Sequence, residues 1–302
     1  MDWKNKIDEF LEKKSKKQKI IVIYWPTASG KTGLSIEIAQ YLDSEIISTD
    51  SRQIYKQMDI WTGKVTSEEM KNIPHHMLDI IHPDEKYSVG EFKKAAEENI
   101  EKIIQKNKVP ILCWGTGLYI DSLIYDFDIP KVPADENLRN KLEKDAKEFW
   151  NEYVYKQLQN LDPEYAKELH PNNVQYVIRA LEVKLLSWKS KKDFRWDKTL
   201  KFDVLFLTPY NKDRAFLYNR INTRVKMMFD DGLVEEVKNL RKTYQDSTAG
   251  LSTIWYIEVV KYLVWEYDLD ECISLVQQHN RNYAKRQLTW FRKYEETTWD
   301  KK

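Results

Sequence analysis

Glycine is scarce in this 302-residue chain, with 8 residues against 11 tryptophans. Ordinary usage of ~7% would give about 21, so a glycine-rich linker or low-complexity tract is excluded. Cysteine is scarcer still. Cys113 and Cys272 lie far apart in no metal-ligand spacing, which excludes a disulfide framework and structural zinc and suits a reducing cytoplasm. There is no run of about 18 apolar residues, so no membrane-spanning helix is expected. Net charge is nearly absent at +1, so any nucleic-acid binding must come from local patches rather than a global field. Residues 1–19 are basic but lack an apolar core followed by a cleavage site, and read as a solvated helical extension rather than a signal peptide.

What is present describes an ordinary globular chain of one or two domains: 42% hydrophobic and 32% charged residues. The apolar run at residues 20–24 marks a strand covered on both faces. "KTGLSIEIAQYLD" follows with helical spacing at Leu34, Ile38 and Leu42. "EIISTDS" reads as a second strand. "SVGEFKKAAEENIEKIIQKNK" reads as a helix, and "VPILCWGTGLYI" as a third strand entering a turn. Strands alternating with helices imply a parallel sheet with right-handed crossovers. After Tyr125 two prolines precede long amphipathic stretches without a strand signal, and "KFDVLFLTPY" restores a core strand. The expected fold is α/β: a P-loop NTPase-like parallel sheet flanked by helices, formed by residues 20–124 and 199–302. Residues 125–198 are expected to be an all-helical insertion.

"IVIYWPTASGKTGLSIEIA" holds the chemistry nearest the start. A strand, a loop ending Gly30-Lys31-Thr32 and a helix make a phosphate site, because backbone N–H groups and the helix N-terminus favour anions. Lys31 adds a positive charge, and the Thr32 hydroxyl is a Mg²⁺ ligand candidate. Asp50 and Ser51 fall at the carboxyl end of the second strand, where open α/β sheets keep their sites. Arg220 and Arg224 lie four apart on one helical face, a spacing suited to gripping a diphosphate. Residues 281–293, "RNYAKRQLTWFRK", interleave basic and aromatic side chains without an acid, which suits phosphate contacts with base stacking. His75 and His76 have no further metal ligands at a useful spacing and read as structural.

These stretches, with "TDSRQIY", "DIWTGK", "PHHMLDI", "WGTGLY", "HPNNVQYVIRALEV" and "DGLVEEV" in this order, resemble the tRNA dimethylallyltransferase (tRNA isopentenyltransferase) family of bacterial type. The resemblance runs from Ile20 to about Trp299. It implies transfer of a dimethylallyl group from dimethylallyl diphosphate to N6 of adenosine 37 in tRNA, by a cytoplasmic monomer using Mg²⁺. It implies catalytic roles for Asp50 as general base, Thr116 and Arg224. It implies diphosphate or nucleotide binding by Trp25, Pro26, Thr27, Ala28, Ser29, Gly30, Lys31, Thr32 and Arg220. It implies tRNA contacts from Asp50, Ser51, Arg52, Gln53, Thr116, Gln175, Arg179, Arg286 and Gln287, with the insertion embracing the anticodon stem. Three alternatives stay open: a relative that prenylates free adenine nucleotides, a catalytically impaired RNA-binding homologue, and a generic P-loop kinase.

The tryptophans depart from the family in one direction. Trp25, Trp61, Trp114 and Trp255 stand where its motifs carry glycine, and Trp188 and Trp265 occupy turn-like slots natural to glycine. The expectation is that the gene's UGA codons are read as glycine in the source and have been translated here as tryptophan. If the rings are genuine, a β-carbon and an indole at position 25 oppose the loop, and phosphate binding should fail. Ile257, where the family usually has lysine, is a further departure.

Overall fold

The computed structural model describes residues 3–113, 115–127, 129–194, 196–209, 213–253 and 255–295; Trp114 and Trp299 lie outside them. Along the chain the elements are α1 (Trp3–Glu12), β1 (Lys19–Ile23), α2 (Lys31–Tyr41), β2 (Ile46–Ser48), α3 (Ser67–Met70), β3 (His75–His76), α4 (Val89–Gln105), β4 (Ile111–Cys113) and α5 (Gly117–Ile124). Then come β5 (Tyr125–Phe127), α6 (Glu136–Leu161), α7 (Pro163–Ala166), α8 (Val174–Ser187), β6 (Trp196–Leu200) and β7 (Asp203–Leu207). The helices α9 (Arg214–Asp230), α10 (Leu233–Arg241), α11 (Tyr256–Leu263) and α12 (Leu269–Glu295) follow. The chain divides into two compact units: residues 1–124 with 200–302, and residues 125–199.

In the first unit five strands form a parallel sheet in the order β3-β2-β4-β1-β7. β1 reads as an unbroken apolar run because both its faces are covered, and Ile20 to Ile23 are fully buried. Parallel pairing has a consequence for the site. Cys113 at the end of β4 is in register with Ile23 of β1 and with Ser48 of β2. The loops leaving all three strands therefore open on one edge of the sheet. α4 begins as its sequence suggests, with a reciprocal capping box between Ser88 and Glu91. His75 and His76 form the edge strand, where His76 Nε2 meets Glu45 at 2.8 Å and His75 Nδ1 meets the Ile73 carbonyl at 2.9 Å.

Two expectations need correction. α1 is not a solvated extension: Ile7 and Phe10 are buried in the same core cluster as Ile21, Ile38 and Leu205. Its exposed face carries Lys4, Asp8, Glu9 and Glu12, and its apolar residues recur three apart on the other. The second unit is not wholly helical either, because β5 and β6 pair as a two-stranded sheet at the two ends of the inserted segment. Between them α6, α7 and α8 enclose their own core of Leu142, Val154, Leu158, Val177 and Leu181. A buried carboxylate organises one side of it. Glu182 is held by two 2.8 Å bonds from Arg139, by Arg179, and by the Asp135 N–H at 2.8 Å. Burial alone would raise its pKa, but the bonds from the two arginines bring it below the usual carboxylate value.

Candidate active site

Residues 24–30 carry the chain from β1 into α2, and Gly30 caps that helix at φ +93°, a conformation that disfavours any β-carbon. Lys31 folds back beneath the loop, its Nζ donating to the Pro26 carbonyl at 2.7 Å. Burial strips water from this ammonium and lowers its pKa to about 8, with Cys113 and Asp50 opposing and Arg224 adding to the fall. Thr32, half-buried, sits in the first turn of α2. The Trp25 ring is buried and packs edge-on against Tyr24, 5.6 Å between centroids.

Across the loop stands Arg224 of α9. Its Nη1 donates to the Thr27 hydroxyl at 3.1 Å, and burial pushes its pKa down. The guanidinium lies against Gly63, where a β-carbon would come within 1.6 Å of it. One turn earlier Arg220 is exposed, over the Phe216 ring at 5.7 Å and close to Gly30.

Asp50 follows β2, and its Oδ1 accepts the Arg52 N–H at 2.8 Å. Burial raises its carboxyl pKa, against the pull of Arg52 and Lys31. Thr116 fastens this loop to the one leaving β4. Its Oγ1 accepts the Ser51 N–H at 3.0 Å, and its own N–H reaches the Thr49 carbonyl at 3.2 Å. Lys31, Asp50 and Arg224 line a cavity of about 140 Å³, which Thr116, Thr32 and Arg220 do not reach. Thr27 adds a further polar group to the lining, and Trp61, Met228, Trp255 and Tyr283 are apolar members of it.

The structure brings Ala28, Lys31, Asp50, Ser51, Arg52, Arg224, Arg286 and Gln287 onto this cavity. It places two of the expected RNA contacts as internal braces. Gln53 is fully buried; its Oε1 accepts from Ser48, and its Nε2 donates to the Thr62 and Gly63 carbonyls, each at 3.2 Å. Gln287, also buried, accepts the Thr27 N–H at 3.0 Å and donates to the Gly115 carbonyl at 2.9 Å. Gln175 and Arg179 belong to the second unit, where Gln175 is exposed and Arg179 is engaged by Glu182 and the Val132 carbonyl.

The basic, aromatic stretch of α12 also divides. Phe291 is core, 5.4 Å from Tyr24, whereas Trp290 donates to Asp121 at 3.0 Å and Arg286 stays exposed. Asp121 is fully buried and receives Trp290, Lys293 and Tyr294 together. Burial raises its pKa against those three bonds. Glu236 is a second residue that motif reading does not single out. It accepts the N–H groups of Asp59 and Ile60, both at 2.8 Å, and the Tyr256 hydroxyl at 2.6 Å, and so shapes the loop bearing Trp61 and Thr62.

Among the described residues no three His, Cys, Asp or Glu side chains converge as a metal cage. No helix among them is long and apolar enough to cross a membrane.

A parallel sheet whose first strand feeds a Gly-Lys-Thr loop, interrupted by a helical segment, defines a P-loop-like α/β protein. Residues 53–294 match the IPP transferase family, and the chain belongs to it. The chain is 47% identical over 286 residues to the tRNA dimethylallyltransferase of Alkaliphilus metalliredigens, covering 94% of this chain and 91% of that one. It is 46% identical to that of Alkaliphilus oremlandii over the same shares. Among solved structures it is similar to the tRNA isopentenylpyrophosphate transferase of Bacillus halodurans, with a TM-score of 0.66 and 38% identity over 91% of this chain and 87% of that one. A eukaryotic dimethylallyltransferase captured acting on tRNA superposes with a TM-score of 0.79 at 31% identity, covering 91% of this chain and 70% of that one.

Proposed function

We propose that this chain transfers a dimethylallyl group from dimethylallyl diphosphate to N6 of adenosine 37 in tRNA. One observation carries the reading: a carboxylate, Asp50, and two cations, buried Lys31 and half-buried Arg224, line a single cavity. In the reaction the allylic C–O bond breaks and its electron pair leaves with the diphosphate. The adenine nitrogen forms the new C–N bond and gives up one proton.

Stabilising the leaving anion is the costly part. The amides of the loop, Lys31 and Arg224 are placed for it, and Arg220 stands beside Gly30 to meet the outer phosphate. The amine is a poor base, so its proton needs an acceptor. Burial makes Asp50 a better one than an ordinary carboxylate. Thr116 keeps that carboxylate's loop in place through the Ser51 amide. Thr32 offers one hydroxyl, which fits a Mg²⁺ that arrives on diphosphate oxygens and keeps waters of its own. Such an ion would supply charge neutralisation to the departing diphosphate.

The exposed Arg286 and the second unit's α8, with Gln175, are the proposed tRNA contacts. Adenosine 37 is unstacked to enter the cavity. One chain carries all these groups, so a monomer suffices; its two buried cysteines, outside any disulfide, suit the cytoplasm.

Incubation with dimethylallyl diphosphate labelled in the allyl group, together with either tRNA or AMP, tests the proposal. Label in tRNA at adenosine 37 is expected. Label in AMP would shift the assignment to a small-molecule prenyltransferase, and none in either would overturn it.

A further inference from the structure

Twelve described non-glycine residues have positive φ, and four of them are tryptophan: Trp150, Trp188, Trp255 and Trp265. Asparagine and aspartate at such positions are ordinary, since their side chains bond the local backbone. An indole gains nothing there and carries the full β-carbon penalty.

Two of the four lie in regions that are nearly closed to any residue with a side chain. Trp150, at φ 70° and ψ 161°, interrupts α6. Trp255, at φ 91° and ψ −43°, precedes α11. The other two end helices in the left-handed turn that glycine normally supplies. Trp188, at φ 60° and ψ 2°, caps α8 with its N–H on the Lys184 carbonyl. Trp265, at φ 65°, follows α11 with its N–H on the Tyr262 carbonyl.

Nor do three of the four rings gain by packing. Trp150, Trp188 and Trp265 are 78%, 82% and 91% exposed. Trp255 is buried, but its indole N–H meets no hydrogen-bond acceptor among the described residues. Tryptophans that do pack behave differently: Trp290, for example, has an ordinary helical backbone and a bond to Asp121.

We propose that the backbone at 150, 188, 255 and 265 is built for glycine and that the working protein carries glycine there, the codons being read as glycine in the source. At 255 the residue also decides what the cavity admits. The Trp255 ring lies tilted against Trp61, 4.3 Å between centroids, and both line a space of about 140 Å³. Ligand pockets usually start near ~300 Å³. Glycine at 255 removes one ring of the pair and enlarges the cavity that Lys31 and Asp50 also line. This last consequence rests on the proposed function.

Thermal melting of Trp188→Gly and Trp265→Gly, beside Trp188→Ala and Trp265→Ala, isolates the backbone, because the exposed rings have no packing to lose. Each glycine variant is expected to melt roughly 2 °C above the parent and above its alanine counterpart. Glycine variants that melt at or below alanine would overturn the proposal. Peptide mass spectrometry of the protein isolated from its source reads the residues directly: glycine at the four positions supports it, tryptophan sinks it. Trp255→Gly is expected to raise turnover of dimethylallyl diphosphate with tRNA at least tenfold. Glycine by mass and by melting without that gain would uphold the four residues and count against the reading of the cavity.

Discussion

Two groups of cations, one in each unit, are held in opposite ways. In the inserted unit Arg139 and Arg179 converge on buried Glu182, so their charge is consumed in holding α6 to α8. In the sheet unit Lys31 and Arg224 hold neutral acceptors, the Pro26 carbonyl and the Thr27 hydroxyl, and burial lowers both pKa values. A fold that draws cations out of water gives up stability to keep positive potential for an anion. The first arrangement is architecture. The second suits the binding of an anion.

The sharpest way to break this contrast is to remove the site's own groups. Asp50→Asn is expected to lower kcat by about 10²–10⁴-fold, and Lys31→Ala or Arg224→Ala by about 10²–10³-fold, with melting temperature unchanged or raised. A clear loss of stability in the lysine or arginine variant would make that residue architectural after all.

The converse experiment is Glu182→Ala, which strands two arginines. A loss of about 3 kcal/mol is expected, read by hydrogen exchange as opening confined to residues 136–187, with diphosphate affinity intact. Asp121→Ala should also cost about 3 kcal/mol, but in the sheet unit, and should loosen α12.

A smaller effect follows from pH. Lys31 loses its proton near pH 8 in the free protein, so diphosphate binding should weaken as pH rises through that value. Stability should move the other way. Between about 8 and the unfolded value of 10.5 the unfolded chain holds the proton more tightly, so this group's contribution to stability rises with pH. The smallest effect is expected for the exposed Arg220: Arg220→Ala should weaken diphosphate binding less than tenfold, measured by titration calorimetry.

Much of this was legible in the residues, for physical reasons that can be named. β1 and β7 are runs covered on two faces. α4 announces itself by period and capping box, and Gly30-Lys31-Thr32 sits where strand meets helix. What escaped lacks a local signal. β5 has three residues and β3 two, too short to show a period. The charged residues in and after α1 disguised Ile7 and Phe10. Gln53 and Gln287 look like contacts for a polar ligand, yet amide side chains serve equally to tie one stretch of backbone to another, and only the packing tells which. Asp121 sits in an apolar stretch whose sequence gives no hint that three donors from α12 meet it.

The bond from Gln287 to the Thr27 N–H joins residues 260 apart in sequence. During synthesis the anion-binding loop leaves the ribosome some 260 residues before the glutamine that fixes its amide. A nascent chain can lay down the sheet and still hold an unfinished cradle, so competence for the reactive diphosphate waits on α12.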